Sequence, residues 1–213
     1  DYETTGKYIN HIKNFALIDN VMRVDNCSTN NSYDKLKKYT MLLVTNNNAA
    51  AKNITMTVGA AGGLNVILKA LLNPGDEVIT FAPYFGEYRS YVNNFDGVLV
   101  EISPNTVDFQ PKLDEFEAKI TPKTKAVIVN TPNNPTGVVY SEETIRKMAE
   151  IMEKKQNEYG TEIYLISDEP YRELAYDGVD VPYLTRYYAN TIVGYSYSKS
   201  LSLPGERIGY LVI

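Results

Sequence analysis

Short apolar runs alternate with longer stretches of helical spacing along most of this chain. Ile54 to Val58, Glu77 to Phe81, Val98 to Ile102, Lys125 to Asn130, Thr161 to Ser167 and Thr191 to Tyr195 read as strands, each closed by turn residues. Between them, Leu64, Val66, Ile67, Leu68, Leu71 and Leu72 line one helix face that ends at Asn73-Pro74-Gly75. Tyr84 to Asn94 reads as a second helix, and Pro111 to Ile120 as a third with proline in its first turn. Ser141 opens a long helix to about Tyr159, with Thr144 where a capping box would place Glu. This alternation predicts a three-layer αβα, doubly wound, mainly parallel sheet. Lys125 to Asn130 is almost continuously apolar, as a strand covered on both faces requires. The run Arg207 to Ile213 follows a loop too short for a helical crossover, so it is expected to be the one antiparallel strand. Upstream, Tyr8 to Val24 and Tyr33 to Thr45 have loosely helical spacing, and Asn46 to Ala51 reads as a connector.

Charge and composition narrow the function. Lys plus Arg number 21 against 26 Asp plus Glu, a net charge of −5, which argues against nucleic acid or an anionic membrane as partner. The single cysteine, Cys27, forms no intramolecular disulfide and no ordinary zinc site, so no metal is expected and a reducing cytoplasm is the natural compartment. Asp1 to Asn10 shows no signal-peptide pattern, and no apolar run approaches a membrane span. His11 is the only histidine and has no nucleophile-elbow pattern to accompany it, which leaves acid–base work to lysine, tyrosine or carboxylates.

Candidate chemistry collects at strand ends, where open α/β sheets place their ligands. Lys199 follows the strand Thr191 to Tyr195 among small hydroxyl residues, Ser196, Ser198 and Ser200, a setting that suits an amine nucleophile toward a carbonyl. Arg207, across a Pro-Gly turn, offers a planar fork for phosphate, although a strand-end Lys near an Arg is more often an ordinary surface pair. Gly59-Ala60-Ala61-Gly62-Gly63 reads as a small-residue turn that opens a helix and presents backbone N–H groups with the positive end of the helix dipole. Close steric packing is the plain alternative for that run.

Two further segments complete a pattern: Asn130-Thr131-Pro132-Asn133-Asn134-Pro135-Thr136-Gly137 after one strand and Ser167-Asp168-Glu169-Pro170-Tyr171-Arg172 after another. With Ser196 to Tyr210, this ordered set resembles the class I/II aminotransferases of the aspartate aminotransferase superfamily, fold-type I enzymes that use pyridoxal 5'-phosphate. The resemblance runs from about Lys52 to Ile213. It implies an internal aldimine at Lys199, an Asp168 carboxylate against the pyridine nitrogen, and Asn134 with Tyr171 at the phenolic oxygen. Ala60 and Ala61 as backbone donors, Ser196, Ser198 and Arg207 would hold the phosphate. Phe85 takes the place of the ring-stacking aromatic, which is often tryptophan; a core Phe is the alternative reading. The implied reaction moves an amino group from an amino acid to a 2-oxo acid, with a homodimer as the expected assembly. A related lyase or decarboxylase is one alternative, and a truncated cofactor-binding domain without turnover is another. The expected division is an N-terminal helical segment over 1–51, without a visible match, and a cofactor-binding large domain over 52–213, the family's C-terminal small domain being absent.

Overall fold

The computed structural model describes residues 53–213. The helices read over Tyr8 to Val24 and Tyr33 to Thr45, the 46–51 connector, His11 and Cys27 lie outside the described residues. Within them, strands β1 (Ile54–Val58), β2 (Glu77–Phe81), β3 (Val98–Ile102), β4 (Thr124–Asn130), β5 (Tyr164–Asp168), β6 (Thr191–Ser196) and β7 (Ile208–Val212) alternate with helices. The helices are α1 (Gly59–Leu71), α2 (Glu87–Asn93), α3 (Leu113–Lys119), α4 (Glu142–Tyr159) and the short α5 (Tyr197–Ser200); two 3-10 turns lie at Arg172–Leu174 and Leu184–Arg186.

The strands form one seven-stranded sheet in the order β1-β7-β6-β5-β4-β2-β3. Pairings β2 with β3, β2 with β4, β4 with β5 and β5 with β6 are parallel, while β6 and β7 run antiparallel, as the short loop between them predicts. Alternate residues of the central strands feed two separate cores. Val78, Ala126, Ile128 and Ile166 pack with Leu64, Ile67 and Leu68 of α1 and with Tyr88 and Val92 of α2. Ile79, Val127, Val129 and Leu165 pack with Phe116 of α3 and with Ile145, Met148 and Met152 of α4. Helices therefore cover both faces, which is the three-layer αβα arrangement; burying each large apolar side chain contributes about 1.5–3 kcal/mol.

Several boundaries differ from the sequence pattern. The glycine-rich run is no separate turn: α1 starts at Gly59 itself, directly after β1. Helix α2 starts at Glu87, not Tyr84, because Tyr84 and Phe85 are held by other contacts, the Tyr84 hydroxyl donating to Glu101 at 2.6 Å. Strand β5 starts at Tyr164 rather than Thr161. The aromatic stretch Tyr183 to Tyr188 contributes to the interior: Tyr188 is buried and donates to the Ile163 carbonyl at 2.7 Å. Ser141 caps α4, its hydroxyl accepting from the Thr144 amide at 3.1 Å.

Candidate active site

Parallel pairing brings three strand ends side by side. The register sets Asn130 of β4 opposite Asp168 of β5, and Asp168 opposite Gly194 of β6, two residues before Ser196. Each lies at the C-terminal edge of the sheet, and together they floor a cleft of about 260 Å³. Its lining includes Ala60, Ala61, Phe85, Asn134, Asp168, Tyr171, Ser196, Ser198, Lys199 and Arg207, so the ten residues that the resemblance assigns to the cofactor meet in one place.

Asp168 sits at the bottom. It is buried, and one carboxylate oxygen, Oδ2, accepts the Tyr88 hydroxyl at 2.6 Å, while Oδ1 is buried without a hydrogen-bond partner. Desolvation pushes its carboxyl up to about 6; the Tyr88 bond opposes that rise and the adjacent Glu169 adds to it. Burial, with the Asp168 charge and hydrogen bond added to it, raises the Tyr88 phenol well above its ordinary range. Asn130 ties the neighbouring loop down: its amide nitrogen donates to the Asp168 carbonyl at 2.8 Å, and its side-chain oxygen accepts the Asn134 backbone N–H at 2.6 Å. Asn134 in turn points its side-chain amide at the Tyr171 hydroxyl, 3.4 Å away. Burial and the nearby Asp168 charge raise the Tyr171 phenol, with the Asn134 bond acting against them.

On the opposite wall, α1 begins with no side-chain cap and no acidic residue in its first turn, so the amides at its start remain available to an anion. Ser196 caps α5 by accepting the Ser198 amide at 3.2 Å, and its own hydroxyl donates to Ser198 Oγ at 2.9 Å. Lys199 projects from that turn, exposed, with Nζ 6.0 Å from the Tyr171 ring centre. Arg207 lies beside the start of α1. Its Nη1 donates to the Pro204 carbonyl at 3.0 Å, and its own backbone adopts a left-handed φ of 53°. Gly59, at φ 68°, has no Cβ, and one added there would sit 2.7 Å from Arg207 Nη2. Gly209 plays the matching part in β7: a Cβ would lie 2.5 Å from the Tyr195 carbonyl and 2.8 Å from the Gly59 backbone.

Glu169, adjacent to Asp168 and assigned no cofactor contact from the sequence, turns away from the cleft. It is fully buried, pairs with Arg172 at 2.6 Å and accepts the Ser167 hydroxyl at 2.7 Å. Arg172 also donates from Nη1 and Nη2 to the Val181 and Pro182 carbonyls at 2.7 and 2.9 Å. The pair thereby fastens the loop that carries Tyr171. Tyr88 and Asn130 are the site residues that the sequence reading did not assign. The available signal for Asn130 was its place as the last residue of a buried strand; Tyr88 looked like any apolar-face tyrosine.

A buried carboxylate with one unpaired oxygen, a row of anion-binding donors and a lysine on a strand-end turn define a cleft for a ligand that is cationic at one point and anionic at another. The chain belongs to the family of class I and II aminotransferases, whose family model matches residues 10–213. That match begins well upstream of Lys52, where the motifs first become readable. A "Probable aspartate/prephenate aminotransferase" of Thermus aquaticus is 41% identical over 156 residues, 73% of this chain and 39% of the relative. The crystal structure of an amino transferase from Eubacterium rectale superimposes with a TM-score of 0.78 at 51% identity, covering 81% of this chain and 44% of the other. Aspartate aminotransferase from Thermus thermophilus, solved with maleate, gives a TM-score of 0.73 at 33% identity over 80% of this chain and 44% of its own. The chain thus spans about two fifths of the length of the curated relatives it matches. Members of this family generally use pyridoxal phosphate. Among the described residues there is no cluster of potential metal ligands and no helix long and apolar enough to cross a membrane.

Proposed function

We propose that residues 52–213 are the pyridoxal-phosphate-binding large domain of an aminotransferase, with Lys199 as the residue that holds the cofactor and carries the proton. The observation that carries this reading is Asp168: a buried carboxylate with Oδ2 fixed by Tyr88 and Oδ1 unpartnered needs a cation, and a protonated pyridine nitrogen supplies one. The rest of the cleft fits the same group. The free amides at Ala60 and Ala61, the Ser196 and Ser198 hydroxyls and the Arg207 guanidinium suit its phosphate, each hydrogen bond to a charge contributing about 1.5–3 kcal/mol. Asn134 and Tyr171, paired at 3.4 Å, would hold its phenolic oxygen, and Phe85 offers an aromatic face, though without the N–H a tryptophan would bring.

When bound, the cofactor supplies an electron sink for the carbanion at the substrate Cα. Asp168 would pair with the pyridine nitrogen and so hold a proton there. Lys199 Nζ takes the proton from the Cα of the bound amino acid, a general-base role that contributes about 10²–10⁴-fold. The net change would replace the amino group of the amino acid by a water-derived carbonyl oxygen, giving a 2-oxo acid, with the amino group retained for transfer to a second 2-oxo acid. A homodimer in the cytoplasm belongs to the same reading, supported by the family resemblance and by the lone cysteine. The relatives named above are aminotransferases, which gives no support to a lyase, a decarboxylase or a non-catalytic module.

The test is borohydride trapping of pyridoxal phosphate on the intact protein, followed by peptide mass mapping and by product analysis with an amino-acid donor. An adduct on Lys199 and stoichiometric 2-oxo acid are expected. An adduct on other lysines only, or release of ammonia or CO₂ in its place, would sink the proposal.

A further inference from the structure

A second polar chain lies behind the lysine-bearing turn, outside the cleft lining. Tyr195, the penultimate residue of β6, is fully buried. Its ring stacks on Tyr210 of β7 with centres 5.0 Å apart, and Tyr197 meets it edge-on at 5.3 Å. The hydroxyl emerges between two segments of the site, 2.8 Å from Glu173 Oε2 and 2.7 Å from Ser200 Oγ. A phenol has one proton to give. The Glu173 carboxylate accepts it, and the Ser200 hydroxyl therefore donates to the phenol oxygen. Glu173 stands two residues after Tyr171, and Ser200 directly follows Lys199, so three side chains join the 3-10 turn at Arg172–Leu174 to α5.

Helix α5 has only four residues, too few to hold itself by backbone hydrogen bonds. An exposed lysine takes its position from the backbone beneath it. Ser196 anchors the amide of Ser198, the second residue of that turn, and the Ser200 hydroxyl anchors the last. Burial raises the Glu173 carboxyl, and the Tyr195 hydrogen bond and Arg172 charge work against that rise, so both favour its ionised, accepting form.

We propose that Glu173 and Tyr195 are positioning residues that latch the Lys199 turn against the Tyr171 segment and so fix where the lysine amine stands. The proposal rests on Lys199 being the residue that takes the cofactor. It concerns no contact with the cofactor itself; the latch acts through the backbone of α5.

The experiment compares Glu173→Ala, Glu173→Gln, Tyr195→Phe and Ser200→Ala with the wild-type intact protein. Tyr195→Phe keeps the buried ring, and Glu173→Gln keeps an acceptor, so folding failure in one variant leaves the others to decide. Two readouts are taken: backbone hydrogen exchange over residues 198–201 without cofactor, and the rate of borohydride-trapped pyridoxal-phosphate adduct at Lys199. Tyr195→Phe, Glu173→Ala and Ser200→Ala are expected to speed exchange about tenfold and slow adduct formation by a similar factor, with Glu173→Gln near wild type. Wild-type exchange in all the variants overturns the latch, and so does faster exchange with an unchanged adduct rate. If the wild-type protein itself traps no adduct at Lys199, the cofactor reading falls, and the exchange result alone upholds or overturns the latch.

Discussion

Replacing Tyr88 by Phe keeps the ring in its core and deletes one hydrogen bond, the 2.6 Å contact to Asp168 Oδ2. The consequence can be followed through the carboxyl. In the wild-type fold it sits at about 6 against an ordinary 3.8, so the native state binds its proton more tightly than the unfolded chain does. Stability from this group therefore falls as pH rises from about 4 to about 6, and the ionised carboxylate costs about 3 kcal/mol at neutral pH in the absence of a cation. The Tyr88 bond works against that cost. A hydrogen bond to a charged acceptor contributes about 1.5–3 kcal/mol, and at about 1.4 kcal/mol per pKa unit its loss moves the Asp168 carboxyl up by about one to two units. The carboxyl is then about half to nine-tenths protonated at neutral pH and offers much less negative charge to the cleft. Burial sets most of this balance, and the charged group Glu169 beside Asp168 pushes the same way. Carbon-13 carboxyl NMR of the cofactor-free protein measures the midpoint directly, with Asp168→Asn to assign the signal. Pyridoxal-phosphate affinity should show the same shift, weakening in Tyr88→Phe at neutral pH and recovering in more alkaline buffer. An unchanged carboxyl midpoint in Tyr88→Phe would refute the reasoning, whatever happened to affinity.

Other residues give sharp outcomes. Lys199→Ala should leave the melting temperature near wild type and remove the borohydride-trapped adduct; an adduct at equal yield would show that another lysine does the work. Gly59→Ala places a Cβ at φ 68° and 2.7 Å from Arg207 Nη2. The guanidinium can swing aside, so the effect falls mainly on phosphate binding, an affinity loss of about tenfold by titration, with backbone strain of about 1 kcal/mol. Arg172→Ala strands the fully buried Glu169 and should cost about 3–5 kcal/mol in denaturant unfolding, since breaking a buried pair leaves an uncompensated charge. Ser141→Ala removes the cap of α4 and should cost about 1 kcal/mol without touching cofactor affinity.

What the sequence makes legible here depends on the range of the interaction that fixes each residue. Strand ends are local: β4 and β5 are apolar runs that stop at Asn130 and Asp168, and the stop is visible because a polar residue interrupts the run. The antiparallel β7 is legible for a similar reason, since a loop as short as the one after Lys199 leaves no room for a crossover helix. Helix starts are less legible. Tyr84 and Phe85 continue the apolar spacing of α2 yet precede its first residue, Glu87, with the Tyr84 hydroxyl bonded to Glu101 and the Phe85 carbonyl accepting only a single-turn bond from Tyr88, so periodicity placed the helix too early. The motif residues cluster because parallel register aligns the strand ends, and register is a property of the sheet, not of any one segment.

Tyr88 shows where such reading stops. Its partner Asp168 is 80 positions away, and α2 separates from β5 along the chain by two strands and two helices. On a helical wheel Tyr88 is an apolar-face residue, which it is: its ring packs with Leu64, Val78 and Ile166. Its function lies in the last atom of the side chain, which crosses that core to reach a carboxylate at the opposite edge. Glu173 and Tyr195 repeat the pattern, a ring that belongs to the core and a hydroxyl that joins two site segments. Periodicity identifies such a ring correctly as buried and says nothing about its hydroxyl. In a chain with 18 tyrosines and no tryptophan, many phenols must find partners inside the fold, and the hydroxyl contacts of Tyr88 and Tyr195 were hidden because both rings are good core residues.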